Sequence, residues 1–241
     1  MLCGGDVLTG WTETICVENK SQVRVFEGLQ KIMKQFPFKI LGIDSVNGSE
    51  FINNHLVMYC EEKRITFTKS RSYKKNDSCY GEQKNWSVPP NDMADPPCFV
   101  ADVRKTVGYF RYETEKEVET INQIYKYLRL YTNFFQPQMK LIEKVRIGSK
   151  VRKKYDKART PYQRVMERPD INTEIKRELK RQYENLNPVK LKKQIVKLQN
   201  YLFKIVENNP FYRERIKEKK EKIRECVGVD FFRHKTCRIR Q

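Results

Sequence analysis

The feature that most constrains the fold is an alternation of strand-like and helix-like patterns near the start of the chain. Residues 11–18 alternate as a strand does, residues 38–44 form a short apolar run suited to a buried strand, and residues 65–69 have the pattern of a third strand. Between them, Ser21 and Ser49 can each cap a helix whose apolar residues recur at helical spacing. The order strand–helix–strand–helix–strand predicts an α/β domain with some parallel strand pairing.

A longer helix and two shorter ones are predicted further along. The segment Thr114-Glu115-Lys116-Glu117 is a capping box, which indicates the start of a helix with one apolar stripe. Residues 141–168 are basic and weakly patterned, so we expect them to be extended. Helices are predicted over 171–186 and 191–205, and the apolar spacing of the second resembles a coiled coil. A helical hairpin within one chain and a dimer interface are the two alternatives for this pair.

Basic residues are concentrated in one part of the chain. Residues 1–137 hold 18 Lys and Arg against 17 Asp and Glu, whereas residues 138–241 hold 31 against 13, out of a net charge of +19. Such asymmetry attracts polyanions, with DNA or RNA ahead of an acidic membrane surface, although a solvated basic helical face is the alternative. This change in charge balance at residue 138 predicts two domains, 1–137 and 138–241. The residues of the densest basic cluster, which we expect to contact phosphate, are Lys150, Arg152, Lys153 and Lys154.

Several stretches are similar to the integrase core of retroviral-type transposases. They are residues 6–14 with Asp-Val-Leu-Thr-Gly-Trp, residues 41–53 with Val-Asn-Gly-Ser-Glu-Phe, residues 81–86 with Gly-Glu-Gln-Lys-Asn-Trp, and the downstream segments 131–137 and 154–162. Their order and spacing make the resemblance specific, and it covers about residues 6–165. It implies a ribonuclease-H-like fold, a mixed sheet flanked by helices, followed here by a basic and mainly helical C-terminal region. It also implies DNA integration and recombination of a mobile element as the family's activity.

The resemblance further implies a triad of Asp, Asp and Glu that holds two Mg²⁺ (or Mn²⁺) ions for strand transfer. Glu82 matches the Glu, but Val46 occupies the second Asp position, and the first Asp belongs to a strand upstream of Asp6. One carboxylate cannot offset the repulsion between two divalent cations, so we expect a truncated and catalytically inactive copy. The missing strand should also leave sheet edges unpaired. Asp44 is a weaker substitute for Val46, because it matches a separate position about 6–7 Å back along the strand.

Charge and resemblance together predict a DNA-binding protein. Lys74, Lys75 and Lys84 lie near the expected catalytic site and are further candidates for phosphate contact. The alternative is a non-catalytic interaction protein that forms a homo-oligomer, or associates with an intact transposase, through helices at 171–208. No apolar run is long enough to cross a bilayer, so we expect no membrane contact and a cytoplasmic, nucleoid-associated location.

Overall fold

A computed structural model describes residues 1–19, 21–45, 54–72, 106–108, 110, 112, 114–148 and 150–207, with the single residues 214, 217 and 221. Within those ranges the protein is mixed α/β, as its sequence predicts. The strands are β1 (Leu2–Gly5), β2 (Thr12–Ile15), β3 (Gly42–Ser45), β4 (Thr66–Lys69), β5 (Leu141–Ile147) and β6 (Lys150–Tyr155). The helices are α1 (Gln22–Gln35), α2 (Asn54–Glu62), α3 (Glu115–Phe135), α4 (Pro161–Glu167), α5 (Thr173–Asn185) and α6 (Pro188–Val206).

The described strands pair as three two-stranded sheets. β1 and β2 are antiparallel, with Leu2 opposite Ile15, and β3 and β4 are parallel, with Gly42 opposite Thr66. The parallel pairing expected from the early alternation is therefore confirmed, and α2 lies on the crossover between β3 and β4. These pairs establish the α/β class, but they do not by themselves define a ribonuclease-H-like sheet.

The first two helices follow their sequence signals. Ser21 caps α1 by accepting a hydrogen bond from the N–H of Arg24, and α1 ends at Gln35, two residues before Pro37. The buried face of α1 packs against β1 in a small core of Leu2, Val25 and Ile32. On α2 the side chains of Leu56 and Cys60 are buried as predicted, whereas the expected cap at Ser49 lies outside the described residues.

α3 is the helix around which most of the described structure packs. The predicted capping box is present, since Thr114 accepts from the N–H of Glu117 and Glu117 accepts from the N–H of Thr114. One stripe of α3 packs against α6, and its C-terminal end packs against Trp11, α4 and α5. The apolar side chains shared by α3 and α6 are Ile121, Ile124, Tyr125, Leu128, Ile195 and Leu202.

The prediction of a helical hairpin over 171–205 is wrong. α5 buries Leu179 beside Trp11 and Phe134, whereas α6 buries its coiled-coil-like stripe on α3. A coiled-coil spacing specifies an apolar stripe on a helix but not which helix covers it. As a result α3 and α6, which lie on either side of residue 138, share one core.

The described part of residues 138–241 is mainly helical, as predicted, and the expectation of extended structure within 141–168 is confirmed for β5 and β6. Residues 141–155 form an antiparallel β-hairpin, and only Pro161–Glu167 of the stretch expected to be extended is helical. The pairing of the two strands was not predicted because their apolar residues lie on opposite faces, Val145 and Ile147 on one and Val151 on the other, so that no single apolar face is visible in the sequence. We refer to the hairpin Leu141–Tyr155, formed by β5 and β6, as the basic arm.

Candidate nucleic-acid interface

The predicted phosphate contacts divide into two groups. Lys150, Arg152, Lys153 and Lys154 all lie on β6, the second strand of the basic arm. The remaining predicted contacts, Lys74, Lys75 and Lys84, lie outside the described residues, as do Glu82 and Val46. The structure therefore brings one of the two predicted basic groups into a single element.

The turn of the arm follows from its local sequence. Ile147 is paired with Lys150, and Gly148 lies in the turn between them. Gly148 has a φ of 61°, a left-handed conformation that glycine adopts without steric cost. Two-residue hairpin turns need such positive φ values because they match the twist of the flanking strands. The glycine between two basic, β-branched runs is the sequence signal that predicts this hairpin.

Strand pairing adds basic residues that were not predicted as contacts. Lys144 and Arg146 lie on β5, opposite Lys153 and Val151 of β6. The arm as a whole carries six Lys and Arg residues and one acidic residue, Glu143. Like charges directly opposite each other on one face, such as Lys144 and Lys153, destabilise a hairpin. A bound polyanion would relieve that repulsion.

The arm is exposed along its length. Every residue from 141 to 148 and from 151 to 154 is exposed, including the apolar side chains of Ile142 and Ile147. Within the described part of the chain, the side chains of Arg152 and Lys154 form no ion pair and no hydrogen bond with other residues. These two positive charges are therefore available to a ligand.

The base of the arm is held by a partly buried ion pair. Arg164, on α4, donates through Nη1 to Oδ2 of Asp156 at 2.6 Å and through Nη2 to the carbonyl of Gln138 at 2.8 Å. Asp156 also accepts from the N–H of Lys140 at 2.5 Å. Burial alone would raise the pKa of the Asp156 carboxyl, but the hydrogen bonds from Arg164 and Lys140 outweigh it and lower that pKa. One arginine thus ties both ends of the hairpin to α4.

A second contact joins the arm to the turn between β1 and β2. The Lys140 ammonium donates to the carbonyl oxygens of Val7 and Leu8 in that turn. Gly10, in the same turn, has a φ of 78°, and a Cβ at this position would lie 2.7 Å from Oε1 of Gln138. The arm is therefore fixed at its base and exposed over residues 141–148 and 151–154.

The expected catalytic centre is represented in the described residues only by Asp44. Asp44 lies on β3, and its Oδ1 accepts from the hydroxyl of Thr68 on β4 at 2.9 Å. Among the described residues, no three His, Cys, Asp or Glu side chains are grouped to hold a metal ion. The two-metal site implied by the resemblance therefore stays a prediction.

One acid is buried beneath the turn that contacts the arm. Glu13 is fully buried; Oε1 accepts from the indole N–H of Trp11 at 2.8 Å, and Oε2 lies 2.7 Å from Nε of Arg129. Burial raises the pKa of Glu13 from 4.5 to about 7, despite the opposing effects of Arg129 and Trp11. This group couples the stability of the fold to pH and is far too enclosed to contact a nucleic acid.

Comparison with known proteins shows a relative that matches part of the chain. The uncharacterized protein y4rM of Sinorhizobium fredii (strain NBRC 101917 / NGR234) is 37% identical over 150 residues, which cover 62% of this chain and 39% of that protein. The chain thus spans about two fifths of the length of the relative it matches. No family model matches the chain. Within the described residues, no helix is both long and apolar enough to cross a membrane.

Proposed function

We propose that this chain binds DNA through the basic arm and that it belongs to the integrase-core transposase class without transferring strands itself. The observation that carries the DNA-binding part is the arm, a hairpin with six basic residues and one acidic residue whose residues 141–148 and 151–154 are exposed. Phosphate contacts of this kind position a protein on nucleic acid without reading its sequence. A nucleoid-associated location follows from the same activity.

Two features favour a ligand over a merely solvated surface. Surface charge runs usually alternate with acids, as on α5, where Arg181 pairs with Glu178 at 2.6 Å. The arm instead places Lys144 opposite Lys153, and its base is fixed by the Asp156–Arg164 pair. A base fixed by an ion pair under an exposed basic hairpin is suited to presenting cations to a phosphate backbone.

The class assignment rests on the sequence resemblance, and an α/β architecture with a parallel β3–β4 pair is compatible with it. The proposed lack of strand transfer rests on Val46, which replaces a carboxylate of the triad. In the family the triad holds two Mg²⁺ or Mn²⁺ ions, and Glu82 is its matched member here. No productive metal site is therefore part of the proposed activity.

The test is binding of a fluorescein-labelled DNA duplex, followed by anisotropy. The test variant replaces Lys144, Arg146, Arg152 and Lys154 by alanine. A charge-matched control replaces four exposed basic residues of α5 and α6 by alanine: Arg177, Lys180, Lys190 and Lys193. We expect the arm variant to lose about a hundredfold or more in affinity and the control to lose far less. Equal losses would show that net charge, not the arm, drives binding.

Association with an intact transposase through helices at 171–208 is the alternative function. The apolar stripe of α6 that suggested it is buried on α3, with Leu202 fully enclosed. A partner would have to use the exposed face of α6 or displace α6 from α3. Sedimentation velocity over a range of concentrations distinguishes the two functions, since DNA binding by the arm requires no self-association.

A further inference from the structure

The arrangement of charge on the arm indicates more than phosphate attraction. We infer that the arm inserts into the major groove of duplex DNA and contacts the phosphates of both strands. This inference rests on the proposed DNA-binding function and specifies its geometry. The observation behind it is that basic side chains lie on both faces of the hairpin.

The register assigns each side chain to a face. Side chains alternate along a strand, and residues directly opposite in an antiparallel pair share a face. Arg152, opposite Val145, and Lys154, opposite Glu143, therefore lie on one face of the arm. Lys144, opposite Lys153, and Arg146, opposite Val151, lie on the other face.

A hairpin that lies flat on a polyanion contacts it through one face only. Cations on the second face would then point to solvent and contribute no contacts. A hairpin that enters a groove has phosphates on either side, so that each face can reach one strand. Basic residues on both faces of an arm fixed only at its base fit insertion rather than flat contact.

The dimensions of the grooves indicate which groove the arm enters and whether it prefers duplex DNA or duplex RNA. The major groove of B-form DNA is about 12 Å wide and admits a two-stranded ribbon, whereas the minor groove is about half as wide. The arm rises about 20 Å along β5, at about 3.4 Å per residue, which is ample for the depth of the major groove. The major groove of A-form RNA is deep and narrow, so that duplex RNA should bind less well.

The experiment compares two variants that remove equal charge from opposite faces. One is Arg152→Ala with Lys154→Ala, and the other is Lys144→Ala with Arg146→Ala. The matched control, Arg177→Ala with Lys180→Ala on α5, removes the same charge from an exposed helix elsewhere. Circular dichroism melts confirm that all three remain folded, and anisotropy measures their affinity for a labelled DNA duplex.

We expect each face variant to lose about tenfold in affinity and the control to lose less than about threefold. We also expect glucosylated hydroxymethylcytosine, whose sugars fill the major groove, to weaken wild-type binding by about tenfold, and the minor-groove ligand netropsin to have no such effect. Loss in only one face variant, displacement by netropsin alone, or tighter binding to duplex RNA or single strands would overturn the groove inference. If the wild type fails to bind any duplex, it is the proposed function itself that fails.

Discussion

Asn133 of α3 pairs with both backbone groups of Thr12, at the start of β2. Its Oδ1 accepts from the N–H of Thr12 at 3.0 Å, and its Nδ2 donates to the carbonyl of Thr12 at 2.9 Å. Three helical turns earlier, Asn122 makes the same two bonds to Cys16, at 2.8 Å and 3.1 Å. Two asparagines on one helix thus take the place of a neighbouring strand for Thr12 and Cys16. These side chains satisfy backbone groups on the edge of β2 that faces away from β1.

Replacing Asn133 should destabilise the fold markedly. Asn133→Ala leaves the buried N–H and carbonyl of Thr12 without partners, which costs about 2–4 kcal/mol of unfolding free energy. Gln123→Ala, on an exposed position of the same helix, should change it by less than about 0.5 kcal/mol. Urea denaturation of the two variants measures the difference. Equal stabilities would mean that the asparagine bonds do not hold β2 to α3.

Stability should depend on pH through Glu13. Because its pKa rises from 4.5 to about 7 on folding, the folded chain binds more protons than the unfolded chain between these values. The stabilising contribution is complete below about pH 4.5 and is lost as the pH rises to about 7, on the order of 3 kcal/mol in all. Glu13→Gln, which keeps the acceptor for Trp11, should abolish most of this loss. Urea unfolding at pH 5 and at pH 7.5 checks it, and parallel losses in both proteins would contradict it.

The base of the arm should depend on the fork geometry of Arg164 rather than on its charge. Arg164→Lys keeps the charge but cannot bond both Asp156 and Gln138 as the guanidinium does. Amide hydrogen exchange across β5 and β6 should accelerate about tenfold or more, and affinity for duplex DNA should fall severalfold. Unchanged exchange in this variant would show that the arm is not held through Arg164.

The packing of α6 on α3 gives a prediction about its apolar stripe. Leu202 is fully buried, so Leu202→Ala should cost about 2–5 kcal/mol of unfolding free energy. Its neighbour Tyr201 is 54% exposed, and Tyr201→Ala should cost less than about 0.5 kcal/mol. Thermal melts of both variants test this. If Leu202→Ala dissociated an oligomer while leaving the monomer stable, α6 would be a dimer helix instead.

The sequence was most informative where a local signal decides a local structure. The capping box at Thr114 and the cap at Ser21 each require only a few neighbouring residues, and both helices begin where these signals predict. The parallel β3–β4 pair also follows from the order of elements. The sequence did not predict which elements pack against each other. The apolar stripe of α6 is visible in the sequence, but nothing in its spacing identifies α3 as the surface that covers it.

Only the β6 half of the basic arm could be predicted from the sequence, because it alone is marked by a local signal. Arg152, Lys153 and Lys154 form a contiguous run, and a run of charge is visible without knowing its fold. Lys144 and Arg146 become part of the site only through pairing across the turn at Gly148. Their contribution depends on register, which a one-residue slip would reverse, so residue composition alone could not supply it.

The measurement that tests the central claim most directly is the salt dependence of DNA binding. Affinity for a labelled duplex is measured between about 50 and 200 mM salt for the wild type and for the variant with alanine at Lys144, Arg146, Arg152 and Lys154. Each phosphate contact contributes about −0.9 to the log–log slope, so we predict a steep wild-type slope and a variant slope shallower by about 3.5. A wild-type slope near zero, or identical slopes for the two proteins, would contradict DNA binding by the arm.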